Sequence, residues 1–244
     1  MSTVTSTMPQ TAAGPPSAVP NPVRADVVVE NRIIVPGWVN TLAEYRRWAE
    51  TDDYPQTGWV SYLDGKIWVD PNLEEFFTHN RVKQAFNYMF GSLFEREPVA
   101  DFVPDRMLLV NTIANLSTEP DGLFYLWDTM RSGRLGLVPG KKTGYMQLEG
   151  TPDGVLEIVS DGSVTKDLDH LRNLYWKAQF PEYWVVDARG DAIRFDIFRH
   201  AEEGYEPTLA QDGWLRSEVL GHSFRVERKS DPLGRPKFVV HVKP

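Results

Sequence analysis

Apolar residues recur at intervals of three and four in three stretches of the chain, which is the spacing of an amphipathic helix. The first stretch begins at the capping-box pattern formed by Thr41 and Glu44. The second covers residues 79–95 and the third covers residues 167–179. The pattern therefore predicts three helices, each with one apolar face directed toward a core.

Short apolar runs bounded by turn residues predict strands between and after these helices. The run at residues 59–69 is interrupted by Asp64 and Gly65, a pair that favours a tight hairpin turn. Residues 128–150 are glycine-rich and basic, and they are predicted to form a long loop or a hairpin. Further strands are predicted at 99–103, 106–112, 123–127, 155–159, 183–186, 192–198 and within 205–226. This order predicts an α/β fold with a mixed β-sheet flanked by helices.

The chain of 244 residues is long enough to bury a substantial core. Residues 1–26 are rich in Pro, Ser and Thr, and they are predicted to be a disordered tail because they offer little apolar surface for burial. Residues 27–228 are predicted to form the folded domain. Residues 229–244 are predicted to be a basic C-terminal tail.

Composition excludes several classes of site and location. The sequence has no cysteine, so it has neither disulfides nor a cysteine-based zinc site. It has no apolar run long enough to span a membrane, and we expect a cytoplasmic protein without membrane contact. The net charge of −8 argues against strong nonspecific nucleic-acid binding, although metal ions in a cleft could supply local positive charge.

Two carboxylates lie at positions that could bind a metal ion. Asp121 directly precedes one predicted strand, and Glu157 lies inside another, where burying a charged side chain is costly without a cation, a hydrogen-bond network or open water. If the two strands are neighbours, both groups can project from one edge of the sheet and hold Mg²⁺ or Mn²⁺. The alternative is that Asp121 is a turn residue and that Glu157 faces solvent.

The sequence resembles the Uma family of bacterial restriction-endonuclease-like proteins, which belongs to the PD-(D/E)XK nuclease superfamily. The matching segments are EPDGLFY at 119–125, GTPDGVLEIVS at 150–160, and LYWKAQFPEYWVVD at 174–187, with weaker matches at 41–48, 62–69 and 218–226. The resemblance implies a restriction-endonuclease-like core and a Mg²⁺-dependent endonuclease that hydrolyses DNA.

The resemblance also implies roles for individual residues. Asp121 and Glu157 would be metal-binding and catalytic carboxylates, and the backbone carbonyl of Ile158 a further metal ligand. Three more residues could support the site from a second layer, namely His79, Asp153 and Ser160. For each of these the alternative is a local structural role, as a helix-start residue for His79 and as turn residues for the other two.

One position departs from the family pattern. The lysine expected four residues before Tyr175 is replaced by Leu171. Lys166, at the start of the same predicted helix, could reach back toward Glu157 and act as the catalytic lysine, or it could be a solvated surface lysine. The remaining hypothesis is a catalytically degenerate protein that binds nucleic acid or a protein partner. A homodimer is also compatible with the sequence.

Overall fold

The computed structural model describes residues 25–29, 33–104, 107–140 and 144–244. Most of the predicted disordered tail at 1–26 therefore lies outside the described residues. The helical elements are α1 (Leu42–Ala49), a π-helical turn (Phe76–Asn80), α2 (Arg81–Arg96), α3 (Trp127–Arg131), a second π-helical turn (Lys166–Leu171) and α4 (Arg172–Lys177). No helix in these described ranges is long and apolar enough to cross a membrane.

The described residues form 17 strands. In chain order they are β1 Val27–Val29, β2 Ile33–Val35, β3 Trp59–Leu63, β4 Lys66–Asp70, β5 Ala100–Pro104, β6 Leu108–Asn111, β7 Leu116–Thr118, β8 Gly122–Leu126, β9 Leu135–Pro139, β10 Tyr145–Gly150, β11 Gly154–Ile158, β12 Glu182–Asp187, β13 Arg194–Ala201, β14 Gly204–Pro207, β15 Leu215–Ser217, β16 His222–Ser230 and β17 Pro236–Lys243.

The predicted mixed α/β class is confirmed, although the strands are divided among several sheets. The central sheet has the order β14-β13-β12-β11-β8-β5, and only β11 and β12 within it run parallel. A second six-stranded sheet has the order β4-β3-β7-β6-β10-β9, and a third joins β15, β16 and β17. The remaining pair, β1 and β2, is antiparallel.

The central sheet is buried on both faces because its strands alternate between two apolar clusters. From β11 and the residue after it, Val155 and Val159 enter the cluster that contains Tyr175 of α4. Leu156 and Ile158 enter the cluster that contains residues of α2. A strand covered on both sides shows no alternation of apolar and polar residues, which explains the nearly continuous apolar run at 155–159.

Two local predictions are confirmed in detail. Thr41 and Glu44 form the reciprocal capping box at the start of α1. Asp64 and Gly65 connect β3 to β4 with φ angles of 46° and 86°, the left-handed conformations that a two-residue hairpin turn requires. The region 128–150 was predicted to be a long loop or a hairpin. It contains most of α3 and the antiparallel pair β9–β10, which corresponds to the hairpin.

The C-terminal segment differs from its prediction. Residues 229–244 were expected to be a basic tail, but they include β17, which pairs with β16 along eight residues. Phe238 and Val240 of β17 are buried in the cluster around α2. The tail was predicted from the basic side chains of this segment. Its alternation of apolar and polar residues is instead typical of a strand with one buried face.

Candidate active site

The two candidate carboxylates lie on neighbouring strands. Strand β8 pairs with β11 in a register that ends with Gly122 opposite Leu156. Continuing that antiparallel register by one residue places Asp121 opposite Glu157, and side chains at opposed positions project to the same face of a sheet. Both residues line a cavity of about 250 Å³, together with Ile158. The structure thus brings together the three predicted metal ligands.

Asp121 is held by fixed donors on both carboxylate oxygens. Its Oδ2 accepts a hydrogen bond of 2.7 Å from the backbone N–H of Ile158. Lys83 Nζ lies 3.0 Å from Oδ1, and His79 Nε2 lies 3.4 Å from Oδ2. Although burial opposes ionisation, His79, Lys83 and the Ile158 N–H together hold the pKa of Asp121 below its usual range. Asp121 is therefore a carboxylate at neutral pH.

A cluster of Glu74, His79 and Lys83 surrounds Asp121 on the side of α2. Lys83 Nζ lies 2.6 Å from Glu74 Oε1, and one ligand atom from each of Glu74, His79 and Asp121 lies within 4.8 Å of the other two. Burial would lower the pKa of His79, but the Asp121 and Glu74 carboxylates raise it to about 10. The cluster thus pairs two carboxylates with two cations.

Glu74 and Lys83 were not predicted as site residues. A signal for Lys83 was present in the sequence, since it lies four residues after His79 and interrupts the apolar face of the second helix. Its side chain is 8% exposed, which is rare for a lysine without a partner. Glu74 lies in the irregular segment before the π-helical turn, where no periodicity identifies the direction of a side chain.

Glu157 lies in the wall of the cavity with one strong hydrogen bond. The hydroxyl of Tyr175 donates to Glu157 Oε1 at 2.6 Å. Burial raises the pKa of Glu157, and the nearby carboxylates of Asp167 and Asp121 raise it further, while the charge of Lys166 opposes this. Burial and the neighbouring carboxylates therefore disfavour the ionised form of Glu157, which a bound cation would favour.

Lys166 lines the same cavity as Asp121 and Glu157, so the structure excludes the alternative of a solvated surface lysine. Its side chain is 13% exposed and lies 3.3 Å from Asp167 Oδ1. Burial lowers the pKa of Lys166, but Asp167, Glu157 and Asp121 outweigh burial and raise it above its usual value. Lys166 is thus a protonated ammonium group within the cavity.

Asp167 is a further carboxylate in the cavity wall. Ser163 Oγ donates a hydrogen bond to Asp167 Oδ2, and the backbone carbonyl of Asp167 accepts one from Tyr183. Burial raises the pKa of its carboxyl to about 6. Its Oδ1 is buried and accepts no hydrogen bond from the described residues.

Two of the predicted supporting residues, His79 and Ser160, line the cavity. The Ser160 N–H donates to Ser163 Oγ at 2.9 Å, so Ser160 belongs to the turn that precedes Lys166. Leu171 is fully buried in the apolar cluster around Tyr175 and is absent from the described lining of the cavity. The position of the expected lysine therefore faces the core.

Asp153 does not join the site, which corrects its prediction as a supporting residue. It lies four residues before Glu157, a separation of about 13 Å along an extended strand. Its carboxylate accepts hydrogen bonds from Leu126 N, Thr129 Oγ1 and Arg134. Asp153 instead joins the start of β11 to α3, which is a structural role.

Comparisons with known proteins identify the family and the fold of the chain. A solved structure from Anabaena variabilis, described as "a putative nuclease belonging to DUF820", is similar with a TM-score of 0.53 and 17% sequence identity, and the match covers 74% of this chain and 90% of that chain. At this identity the likeness shows the fold. A search of curated proteins gives no match. A model of the Uma2 family, described as "putative restriction endonuclease", matches residues 42–227. The chain therefore belongs to the Uma2 family.

Proposed function

We propose that the protein is a divalent-metal-dependent endonuclease that hydrolyses phosphodiester bonds in DNA. The observation that carries this proposal is the arrangement of Asp121, Glu157 and Lys166 around one cavity. Two carboxylates from adjacent strands and one ammonium group provide a cation site next to a fixed positive charge. This combination suits the binding and cleavage of a phosphodiester group.

The residues of the cavity fit Mg²⁺ or Mn²⁺. Carboxylate oxygens are hard ligands, and no cysteine competes for a softer metal. Burial is the main cause of the raised pKa values of Glu157 and Asp167, and it disfavours the ionised forms that a bound divalent cation would favour. Bound Mg²⁺ or Mn²⁺ would supply a Lewis acid that polarises a phosphoryl oxygen and lowers the pKa of water.

Asp121 and Glu157 would hold this ion, with the carbonyl of Ile158 as a further ligand. The hydrogen bond from Tyr175 fixes the orientation of Glu157, and the bond from the Ile158 N–H fixes that of Asp121. Both carboxylates are thus oriented before any ligand arrives, which reduces the cost of binding.

Lys166 would act through its charge. Its raised pKa keeps the ammonium group protonated at neutral pH, so it cannot accept a proton from water. A protonated amine in a buried cavity can stabilise the negative charge that builds on the phosphoryl oxygens in the transition state. Lys166 would therefore replace, from the preceding turn of helix, the lysine that is absent at Leu171.

The test is nicking of a supercoiled plasmid, since a closed circle has no ends and its cleavage shows an endonuclease. Wild-type protein with Mg²⁺ or Mn²⁺ should convert supercoiled to open-circular DNA, and excess EDTA should stop the reaction. Glu157→Gln and Asp121→Asn should each reduce the rate by at least about 1,000-fold, because each removes a charged ligand. Glu203→Gln, at an exposed turn, should have no effect.

Two results would contradict the proposal. Equal nicking by wild type and Glu157→Gln would point to a contaminating nuclease. A wild-type protein that binds DNA but never nicks it would favour the catalytically degenerate alternative, in which Leu171 marks the loss of the catalytic lysine.

A further inference from the structure

A second cavity of about 370 Å³ lies between the central sheet and the three-stranded sheet. Its lining includes Arg199 of β13, Trp214 and Arg216 of the β15 region, and Lys243 of β17. We call it the Trp214 pocket. It is separate from the catalytic cavity, since no described residue lines both.

Positive charge converges on this pocket in a chain with a net charge of −8. The guanidinium of Arg225 lies 4.9 Å from the Trp214 ring centroid, and the ammonium of Lys243 lies 4.4 Å from it. These cation–π contacts hold both charges close together. Glu218 is the one acidic residue among the described residues of the lining.

The cations of the pocket are poorly compensated. Arg199 has a weak contact of 3.9 Å with Glu206, and within the described part of the chain Arg216, Arg225 and Lys243 form no ion pair. Like charges that are gathered without anionic partners repel one another, so an anionic ligand would stabilise the pocket.

Two other arginines of the same sheet region contact groups of the fold. Arg228 donates hydrogen bonds to the backbone carbonyls of Ala188, Gly190 and Asp191. The guanidinium of Arg235 pairs with Asp231 at 2.9 Å. Arg228 and Arg235 therefore fix this part of the fold, whereas Lys243 belongs to the lining of the Trp214 pocket.

Two buried polar atoms at the pocket also lack partners. Within the described ranges, Thr208 Oγ1 neither donates nor accepts a hydrogen bond, and Arg225 Nε donates none. Buried polar atoms of this kind are rare in folded proteins, and they commonly indicate an absent ligand or water. Thr208 lines the pocket directly, and Arg225 lies against its tryptophan.

We propose that the Trp214 pocket binds the phosphodiester backbone of nucleic acid, outside the catalytic cavity. The proposal rests on the proposed function for the class of ligand. Guanidinium groups match the oxygens of a phosphate in geometry and charge, and two of the three cations in the lining are arginines. Contacts to the backbone position a nucleic acid without reading its sequence, so this site would add affinity rather than specificity.

The test is fluorescence anisotropy of a labelled duplex of about 20 base pairs in EDTA, where no cleavage takes place. The double variant Arg216→Glu/Lys243→Glu should weaken binding at least about tenfold and reduce the slope of log K against log salt by about two. The matched control, Lys229→Glu/Lys237→Glu, makes the same charge change on the same sheet and should weaken binding less than threefold. Thermal melts should show that both variants fold.

The outcomes separate this proposal from the nuclease proposal. Equal loss of binding in the two double variants would show a general charge effect and overturn the pocket. Absence of DNA binding by the wild-type protein in EDTA would also overturn the proposal. Complete competition by polyglutamate at matched charge would overturn it too, because it would favour an acidic protein as the ligand. If the protein does not nick the plasmid but the two double variants still differ in DNA binding, the result would count against the proposed function alone.

Discussion

Glu157 and Glu182 lie on adjacent strands of one sheet and are almost equally buried, at 2% and 1% exposed. Glu182 accepts hydrogen bonds from Trp184 Nε1 at 2.9 Å, Ser217 Oγ at 2.7 Å and Val219 N at 3.2 Å. Within the described residues, Glu157 accepts one hydrogen bond, from Tyr175.

The groups that surround the two carboxyls differ. Burial raises the pKa of both carboxyls, but neutral donors that belong to the fold surround Glu182 and join β12 to the β15 sheet. Glu157 instead faces a cavity whose lining includes Lys166 and several other carboxylates, among them Asp121 and Asp167. A buried carboxylate therefore indicates a site only when fixed donors leave its oxygens incompletely satisfied.

After the loss of a carboxylate ligand, the next largest effect on the nicking rate is expected at Lys166. Lys166→Met keeps most of the side-chain volume and removes the charge, so the nicking rate should fall about 100-fold, as for the loss of one fixed donor in an active site. Lys177→Met removes a lysine at the surface, where its side chain is 43% exposed, and should leave the rate unchanged. Equal rates for Lys166→Met and wild type would show that Lys166 takes no part in the reaction.

The paired glutamine variants should separate structure from function. In Glu182→Gln an amide N–H₂ group replaces an oxygen among donors, so the free energy of unfolding should fall by about 2 kcal/mol. Glu157→Gln keeps the oxygen that Tyr175 requires and loses an unfavourable buried charge, so its stability should change by less than about 0.5 kcal/mol. Urea unfolding in EDTA measures both values. A larger loss of stability in Glu157→Gln than in Glu182→Gln would contradict this distinction.

Sequence patterns predicted the parts of the fold that depend on neighbours along the chain. The capping box at Thr41, the turn at Asp64 and the run of β11 are local features with a direct physical cause. The family pattern also predicted that Asp121 and Glu157 lie together, and both line one cavity. Strand β17 was missed because its basic residues suggested a tail, although residues 231–234 carry the turn signal that joins β17 to β16.

The cations of the site were harder to predict. The position of Lys166 depends on a π-helical turn at Lys166–Leu171, which a periodicity of 3.6 residues does not describe. Lys83 and Glu74 meet Asp121 only after α2 packs against the sheet. Spacing along the chain does not give such contacts between distant segments, although the position of Lys83 four residues after His79 was a partial signal.

The smallest effect that sharpens the comparison concerns Lys83, whose ammonium lies 2.6 Å from Glu74 and 3.0 Å from Asp121. A divalent cation must compete with this charge for Asp121, so Lys83→Met should tighten Mn²⁺ binding about tenfold, a change of about 1.4 kcal/mol. Isothermal titration calorimetry measures the affinity, and Lys177→Met again provides the charge control. Unchanged or weaker Mn²⁺ binding in Lys83→Met would show that Lys83 does not compete with the metal and that the charge of the cavity is balanced by other groups.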